Sequence, residues 1–329
     1  MSGERDWEKD LLGPHRVVKP SMRGRGAPPR TVKASSISLS ERIRIARGVP
    51  QAVVKVTSYS RGREACRRHW SYISRKGTLS LETESGELLT DREQQRSALD
   101  GLSFDKRKNA RDQVNVVASA PKGASPEAVR RAARAFAQDA FAGQHYVFVL
   151  HEDKGHPHVH FAVALKSKTK KLDPRKQDLY RWREQWAAKA RTQGIELACS
   201  PRAARGIGRK GQKLPIYHMQ QRGVTPRVTH LAAKDAVATA ADTPWETYAR
   251  ARNAAERQAY RQGANDLRTA AKKASAAERQ KLEAAAGELD QFAARMPVAK
   301  TRRQQLHDAL TTYRKQRSPP QREPDDRER

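Results

Sequence analysis

Four of the ten histidines in this chain lie within ten residues, in the run His-Glu-Asp-Lys-Gly-His-Pro-His-Val-His at 151–160. Apolar side chains alternate with others on both sides of this run, as they do in the two strands of a hairpin. A two-residue turn at Lys154-Gly155 places His151 opposite His158, and His160 follows on the same face. The opposite face then carries large apolar side chains, those of Phe148, Leu150, Val159, Phe161 and Val163. The run therefore predicts a hairpin with a histidine face and a core face.

Three neutral imidazoles on one face suit a divalent transition metal, with coordination positions left open for a substrate oxygen. The other residues of this face are small, which predicts room for a substrate beside the histidines; they are Val147, Val149, Ala162 and Ala164. His156 has the opposite parity and is interpreted as a turn residue rather than a ligand. The simpler alternative is an edge hairpin that exposes several histidines without binding anything.

The charge of the chain indicates the class of partner. There are 66 Lys and Arg residues against 36 Asp and Glu, which gives a formal net charge of +30 and a pI near 10.6. Such an excess favours a polyanion, and nucleic acid is the leading candidate. No apolar run is long enough to cross a bilayer, so we expect no membrane insertion. The first ten residues lack a signal core, and the distant Cys66 and Cys199 fit no disulfide framework, which together favour the cytoplasm.

Composition divides the chain into four parts. Residues 1–48 are rich in Arg, Pro, Gly and Ser and are predicted to be a disordered basic arm. Residues 50–225 carry nearly all the strand patterns and are predicted to be the functional domain. Residues 244–315 are rich in helix-forming residues and are predicted to be a helical extension. Residues 316–329 are predicted to be a polar disordered tail.

The element order within 50–225 predicts the fold class. It runs strand, helix, hairpin, strand, helix, strand, strand, helix, which favours an α+β fold with a largely antiparallel central sheet. We expect helices on one face of this sheet and an open, histidine-bearing second face. In the extension, an apolar stripe at three- and four-residue steps predicts helices that Pro297 interrupts. A helical hairpin or coiled-coil contact and a solvated single helix remain equal alternatives for it.

A metal and a polyanion together suggest phosphodiester chemistry, so the attacking group must be identified. Metal-bound water is one candidate and a tyrosine that forms a covalent phosphotyrosine is the other. Tyr72 is the best tyrosine, because Arg75 and Lys76 follow it and could steady a phosphate. However, Tyr72 shares a helical stripe with His69 and Ile73, so a packed core tyrosine is the stronger interpretation from the spacing alone.

Three segments resemble the conserved blocks of a known family. They are Tyr-Ile-Ser-Arg-Lys-Gly-Thr-Leu-Ser-Leu at 72–81, the histidine run at 151–160, and Ser-Pro-Arg-Ala-Ala-Arg-Gly at 200–206. Together they resemble plasmid and conjugative relaxases, the mobilisation nucleases of the HUH endonuclease superfamily. The branch that nicks T-DNA borders is the most similar. The resemblance covers roughly residues 50–222.

The resemblance implies a mechanism and its residues. Tyr72 would be the nucleophile and His151, His158 and His160 the metal ligands. The reaction would nick one strand at an origin of transfer and leave a 5′-phosphotyrosine intermediate. The metal would be Mg²⁺ or Mn²⁺, with Zn²⁺ or Ni²⁺ also compatible with imidazole ligands. The implied partners are single-stranded origin DNA and an accessory relaxosome protein, a coupling protein or a type IV secretion system in the bacterial cytoplasm.

One position departs from the family pattern. Asn115 stands where many relaxases have Asp, or His in the border-nicking branch, to orient a metal histidine or accept the tyrosine proton. An amide oxygen can still accept a hydrogen bond from an imidazole, but an amide is not a base. Asp112, Glu152 or Asp153 could replace that function, or the phenol could lose its proton to solvent.

Basic residues outside the motif predict DNA contacts. Lys122 lies just before a helix N-terminus, where phosphates bind readily. Arg202, Arg205 and Arg209 alternate with glycines in a segment that is predicted to grip the strand. Two alternatives to a relaxase remain: another HUH enzyme (a rolling-circle initiator or single-strand transposase) and a non-catalytic basic DNA-binding accessory protein.

Overall fold

A computed structural model describes residues 31–317 except 106, 108, 154, 168–170, 208–213, 239–242, 299 and 301. The chain forms two compact units. We call residues 44–200 the sheet unit, and residues 1–43 with 201–329 the helical unit. The alternating, strand-rich part of the sequence makes up the first, and the Ala-rich part makes up most of the second.

The sheet unit is built on a six-stranded antiparallel sheet, with strand order β1-β4-β6-β5-β2-β3. Its strands are β1 Val53–Ser60, β2 Leu81–Thr83, β3 Leu88–Leu89, β4 Gln113–Ser119, β5 Tyr146–His151 and β6 His158–Ala164. The long strands β4, β5 and β6 lie at the centre and are nearly all buried. The predicted α+β class with an antiparallel sheet is confirmed.

One face of the sheet packs on an aromatic core. The helices α4 Pro126–Ala140 and α5 Lys176–Arg191 carry apolar stripes and pack together on this face. Ser125 caps α4 as the sequence predicts, because its side chain accepts a hydrogen bond from the Ala128 N–H. The fully buried rings of this core are those of Phe136, Phe141, Phe148, Phe161, Trp182 and Trp186.

The histidine face is more covered than the sequence predicts. Helices α2 Gly62–Ile73 and α3 Arg92–Asp100 provide a smaller apolar cluster on this side. Val147, Val149 and Ala162 are 2%, 5% and 1% exposed within it, so the expected room for a substrate is not beside these residues. They pack against α2 in this cluster, and His151 and His158 on the same face are also buried, at 3% and 5% exposed. The sequence analysis missed α3, whose strongly polar sequence has just two buried residues, Gln95 and Leu99.

The helical unit contains the predicted extension. Helices α8 Pro244–Ala271 and α9 Ala276–Arg295 pack as an antiparallel hairpin, so the single solvated helix is excluded. The chain leaves α9 just before Pro297, as predicted. Helix α10 Arg302–Arg317 follows, and Arg303 forms a buried ion pair with Glu246 of α8. Two further helices, α6 Leu214–Gln221 and α7 Arg227–Ala238, precede the hairpin and were not predicted.

Part of the predicted disordered arm is ordered. Helix α1 Leu39–Ala46 lies within residues 1–48, and Ile45 is 4% exposed. The segment that precedes α1 is held by Glu256, a residue of α8 that is 0% exposed. Its carboxylate accepts hydrogen bonds from the Ser35 N–H and from Arg42, which compensates the cost of burying the charge. Residues 1–30 and the tail from 318 onward lie outside the described residues.

No helix in the described ranges is long and apolar enough to cross a membrane.

Candidate functional site

The hairpin β5–β6 aligns its histidines as the sequence predicts. His151 is the last residue of β5 and pairs directly with His158, the first residue of β6. The connection is wider than the predicted two-residue turn, because the strands end at these histidines and leave residues 152–157 between them. Pro157 has no N–H with which to extend the ladder, and its carbonyl instead accepts a hydrogen bond from Ala120. The register is unchanged because a six-residue connection keeps the parity of a two-residue turn.

The three imidazoles of His151, His158 and His160 converge. Their ring centroids are 4.5 Å apart for His151 and His160, 5.2 Å for His158 and His160, and 5.3 Å for His151 and His158. One possible ligand atom from each lies within 4.8 Å of the other two. Three imidazole nitrogens that converge in this way could together hold one metal ion. We call these residues the histidine triad.

Burial keeps the triad suited to a metal. Burial, and then the neighbouring His151, lower the pKa of His160 from 6.5 to about 3. Burial also lowers the pKa of His151. Both rings are therefore neutral at pH 7 and have a lone pair for a cation. Neutral imidazole is the form that binds metals.

The hydrogen bonds of His151 define its tautomer. Its Nε2 lies 2.6 Å from the carbonyl oxygen of Ile73, the last residue of α2. A carbonyl only accepts, so Nε2 carries the proton and the lone pair is on Nδ1. The Arg75 guanidinium donates to this Nδ1 at 3.4 Å. A backbone carbonyl that orients a ligating imidazole is a common arrangement in metal sites.

Tyr72 lies beside the triad and is not a core residue. It projects from the last turn of α2 with its side chain 58% exposed, whereas the adjacent Ile73 is fully buried. The Tyr72 ring stands edge-on to that of His160, with 6.4 Å between centroids. The packed-core interpretation from helical spacing is therefore excluded. Tyr72 and Ile73 share a helical stripe, but only Ile73 of the two is buried.

A strained turn follows Tyr72. Arg75 and Lys76 adopt left-handed backbone conformations with φ of 52° and 60°, and Gly77 continues with φ of 87°. Left-handed backbone at a residue with a side chain costs about 1–3 kcal/mol and is maintained by its surroundings. Arg92 of α3 makes the contacts that maintain this turn. Its Nε donates to the Lys76 carbonyl, and its Cγ fills the space that a Cβ at Gly77 would need.

This turn directs Arg75 into the site. The Arg75 guanidinium pairs with Asp153 and lies 5.8 Å from the centre of the Tyr72 ring. Together with its bond to His151, these interactions place a fixed positive charge between the phenol and the triad. Lys76 is exposed, and its side chain has no comparable set of partners in the described part of the chain.

His69 is a neighbour that the sequence analysis assigned only to a core stripe. It precedes Tyr72 by one turn, and their ring centroids are 6.3 Å apart. Its Nε2 is buried without a hydrogen-bond partner among the described residues. Burial lowers its pKa from 6.5 to about 4. The signal in the sequence was its i,i+3 spacing from Tyr72, which fits a core residue equally well.

Asn115 is buried in a polar network that leads away from the triad. Its amide oxygen accepts from Gln113 at 2.6 Å, and its amide nitrogen donates to Ser58 and Ser60 at 2.8 and 3.2 Å. Gln113 in turn accepts from the indole N–H of Trp70 at 2.8 Å. The expected hydrogen bond to a metal histidine is absent from these amide partners. The network instead ties α2 and β1 to the centre of the sheet.

The acidic substitutes suggested for Asn115 differ in their positions. The Asp112 carboxylate accepts hydrogen bonds from the backbone N–H groups of Gly62 and Asp105. Gly62 begins α2 and lies ten residues from Tyr72, about 15 Å along a helix. Asp112 is therefore remote from the phenol, Asp153 is paired with Arg75, and Glu152 is exposed in the connection.

The basic residues predicted to contact DNA are spread over both units. Lys122 is exposed in the sheet unit, four residues before α4 begins. Arg202 and Arg205 belong to the helical unit, at a short 3₁₀ helix, Ala203–Arg205. Arg202 is exposed, whereas Arg205 is half-buried with its Nε unpaired among the described residues, so Arg205 is poorly placed to bind a phosphate. Arg209 lies outside the described residues.

One comparison with known proteins covers this site. Residues 72–195 match the family described as "Relaxase: MobA/VirD2-like, nuclease domain", a segment that begins at Tyr72 and includes the whole triad. No curated protein matches the chain. One solved chain, from "Molecular Basis of Vancomycin Resistance Transfer in Staphylococcus aureus", is similar over 46% of this chain and 99% of its own, with 12% identity and a TM-score of 0.34.

Proposed function

The chain carries a relaxase nuclease domain of the MobA/VirD2-like type over residues 72–195, and from this premise we propose that it nicks one strand of DNA at an origin of transfer. Tyr72 is the nucleophile of this proposal. The observation that supports it is the exposed phenol beside three converging imidazoles. Conjugative mobilisation of a bacterial element is the process that such a nick begins.

The proposed reaction exchanges one phosphate ester for another. The Tyr72 oxygen attacks the scissile phosphorus and forms a P–O bond, while the bond from phosphorus to the 3′ oxygen breaks. The phenol proton is lost, and the leaving 3′ oxygen gains a proton to become a hydroxyl. The 5′ end stays joined to the protein. Because the number of ester bonds is unchanged, a strand can later be rejoined without a nucleotide cofactor.

The histidine triad fits a divalent cation in this reaction. His151, His158 and His160 would hold it, with Mn²⁺ or Mg²⁺ as the proposed ion and Zn²⁺ or Ni²⁺ as compatible ones. When bound, the ion supplies a Lewis acid that polarises a phosphate oxygen. Three ligands from the protein leave the remaining positions open to the DNA, and magnesium in particular prefers oxygen ligands such as phosphate.

Arg75 contributes a second positive charge. Its guanidinium is held by Asp153 between Tyr72 and His151, where it can donate to an oxygen of the scissile phosphate. Charge that develops on the phosphate during the attack is stabilised by such a pre-positioned donor. No carboxylate is positioned to take the phenol proton among the residues considered for that role, so solvent or His69 remains as acceptor.

Denaturing gels with labelled single-stranded origin DNA test the proposal. The wild-type chain, Tyr72→Phe and Tyr59→Phe are each incubated with Mn²⁺, with and without a chelator. Tyr59 is a half-buried tyrosine of β1 and is the matched control. We expect a metal-dependent protein–DNA adduct for the wild type and for Tyr59→Phe, and none for Tyr72→Phe.

Two other results would refute the proposal. Cleavage without an adduct would indicate attack by water and an ordinary nuclease. Binding without cleavage of a verified origin would favour a non-catalytic accessory protein, the interpretation that Asn115 raises. The accessory protein, coupling protein or type IV secretion system that the proposed process requires, and the cytoplasmic location of these steps, are part of the same proposal.

A further inference from the structure

A second basic feature of the sheet unit lies at the end of the strands opposite the histidines. A cavity of about 850 Å³ opens there between the segment before β4 and the segment after β6. Among the described residues that line it, four are cationic: Arg107, Arg111, Lys166 and Lys171. Neither the histidine triad nor Tyr72 reaches this cavity, so the proposed nicking reaction does not explain it.

Backbone hydrogen bonds hold the walls of the cavity in place. The Leu165 N–H donates to the Asp112 carbonyl at 2.7 Å, which extends the pairing of β4 with β6 by one step. The Leu172 N–H donates to the Leu165 carbonyl at 2.8 Å and returns the chain across the cavity. The Asp105 N–H donates to the Asp112 carboxylate at 2.8 Å. The cavity is therefore a fixed part of the sheet end.

Two lysines are directly opposed in this wall. Lys166 and Lys171 are partners in an antiparallel bridge, and both are exposed. Directly opposed side chains lie about 5 Å apart at Cβ, and like charges in this position are destabilising. Neither lysine forms an ion pair with a residue in the described ranges. An anion bound between them would remove this repulsion.

The acidic residues nearby are already engaged. The two oxygens of Asp112 accept from backbone N–H groups, and Asp105 forms a two-pronged pair with Arg107. Arg111 has only a long pair with Asp173, at 3.9 Å, and its guanidinium lies 4.6 Å from the centre of the Tyr59 ring. The lysine pair and Arg111 are thus the charges that remain for an external anion.

The distance to the triad indicates which anion is suitable. Ser119 pairs with His158 at one end of the β4–β6 ladder, and Gln113 pairs with Ala164 at the other. Six residues at about 3.3 Å each separate these ends by roughly 20 Å. For a strand that keeps the rise of stacked B-DNA, about 3.4 Å per nucleotide, this distance corresponds to roughly six nucleotides.

We propose that Lys166, Lys171 and Arg111 form a second binding site for the DNA backbone, which holds phosphates about six nucleotides from the nick. This inference rests on the proposed function, because it takes the bound strand to be the one that is nicked. The site acts by charge and does not read sequence. Its role is to hold a long strand in register across the sheet while the triad and Tyr72 act on one phosphate.

The test compares two lengths of origin DNA by fluorescence anisotropy, with the full chain and a chelator to prevent nicking. The short strand extends three nucleotides on each side of the nick, and the long strand extends twelve. Lys166→Ala/Lys171→Ala is compared with Arg130→Ala/Arg131→Ala. The control removes the same two charges from exposed positions on α4, on the other face of the sheet.

We expect the lysine variant to bind the long strand about 25-fold more weakly at 0.1 M salt, because each single-strand phosphate contact changes the salt slope by about 0.7. The slope of log K against log salt should fall by about 1.4. The control variant should bind both strands like the wild type, and the lysine variant should bind and nick the short strand normally.

Equal weakening by both variants, or equal weakening for both strands, would overturn the inference in favour of general charge. No change in long-strand binding by the lysine variant would also overturn it. Failure of the proposed function gives a different result. The wild type would then not nick the DNA, although its binding of the long strand would still depend on these lysines. That result would refute the nicking proposal and leave the second binding site for the DNA backbone.

Discussion

The two faces of hairpin β5–β6 are made from alternate residues of the same two strands and differ in chemistry. On the core face, the Phe161 ring packs edge-on against Phe136 of α4 and against Phe141, which follows α4, and Phe148 lies beside it. On the histidine face, the triad lies beside a smaller apolar cluster that includes Val147 and Val149. The rings of His151 and His160 have lowered pKa values there, and His69 keeps a buried nitrogen without a hydrogen-bond partner among the described residues.

The two faces contribute differently to the free energy of folding. Burial of large rings contributes most of the stability of this unit. The histidine face has a strained turn at Arg75 and Lys76, three histidines close together, and a buried imidazole nitrogen without a partner among the described residues. Each of these costs stability, and such departures cluster at functional sites. The core face supports the conformation that the histidine face requires.

The largest effect on stability is expected from Phe161→Ala. This ring is fully buried among Phe136, Phe141 and Phe148, so its removal leaves a cavity. We expect a loss of about 3–5 kcal/mol in the free energy of unfolding, measured by urea denaturation. The nicking rate per folded molecule should change little at a temperature well below the transition. Loss of nicking in a variant that still folds stably would contradict the claim that the core face affects stability and not the reaction.

The converse change is His160→Ala. We expect it to lower the metal-dependent nicking rate by about 10²–10³-fold, since it removes one ligand of the proposed ion, while the free energy of unfolding without metal is kept or raised. Single-turnover nicking at saturating DNA measures the rate. His156→Ala is the control, because His156 is exposed in the connection after β5. Equal losses for the two variants would show that the triad has no special role.

Trp70→Phe tests the hydrogen-bond network that connects α2 to the sheet. The change keeps the ring buried but removes the donor to Gln113, and a buried acceptor left without its donor costs about 1–3 kcal/mol. We expect a loss of stability of this size together with slower nicking, because α2 carries both Trp70 and Tyr72. Restoring stability with an osmolyte should not restore the rate. A rate that recovers with stability would make the network purely structural.

The last expected effect is a pH dependence of stability. His69 and His160 have pKa values of about 4 and 3 in the folded chain, against 6.5 for an ordinary histidine. At pH values between about 3 and 6.5, the unfolded chain therefore binds more protons than the folded chain. The free energy of unfolding must then fall as the pH decreases from 6.5 towards 3. We expect this slope in urea denaturation of the chelated protein, and a shallower slope in His69→Gln. An unchanged slope in the variant would show that His69 is not a buried neutral histidine.

Much of the hairpin could be predicted because strand parity is a local property. Once two strands flank the run at 151–160, His151, His158 and His160 share a face whatever the length of an even-numbered connection. The aromatic core followed from the same parity. The extension was also predictable in outline, since its apolar stripe and Pro297 are local signals.

The rest depended on packing between distant residues. Helix α3 has few apolar residues, and only the structure shows that Arg92 holds the turn after Tyr72. The left-handed conformations of Arg75 and Lys76 have no glycine or asparagine to signal them. The exposure of Tyr72 could not be predicted from helical spacing, because Ile73 of the same stripe is fully buried. The order of α1 likewise depends on Glu256, more than 200 residues away.

The central claim is that Tyr72 is the residue joined to DNA, and peptide mapping of the adduct tests it most directly. After nicking with Mn²⁺, the DNA is digested to a single nucleotide and the protein is cleaved with trypsin. Tyr72 then lies in the peptide His-Trp-Ser-Tyr-Ile-Ser-Arg at 69–75, and Tyr59 lies in Val-Thr-Ser-Tyr-Ser-Arg at 56–61. We predict the nucleotide mass on Tyr72 of the first peptide. The same mass on the second peptide, or on any other residue, would contradict the account.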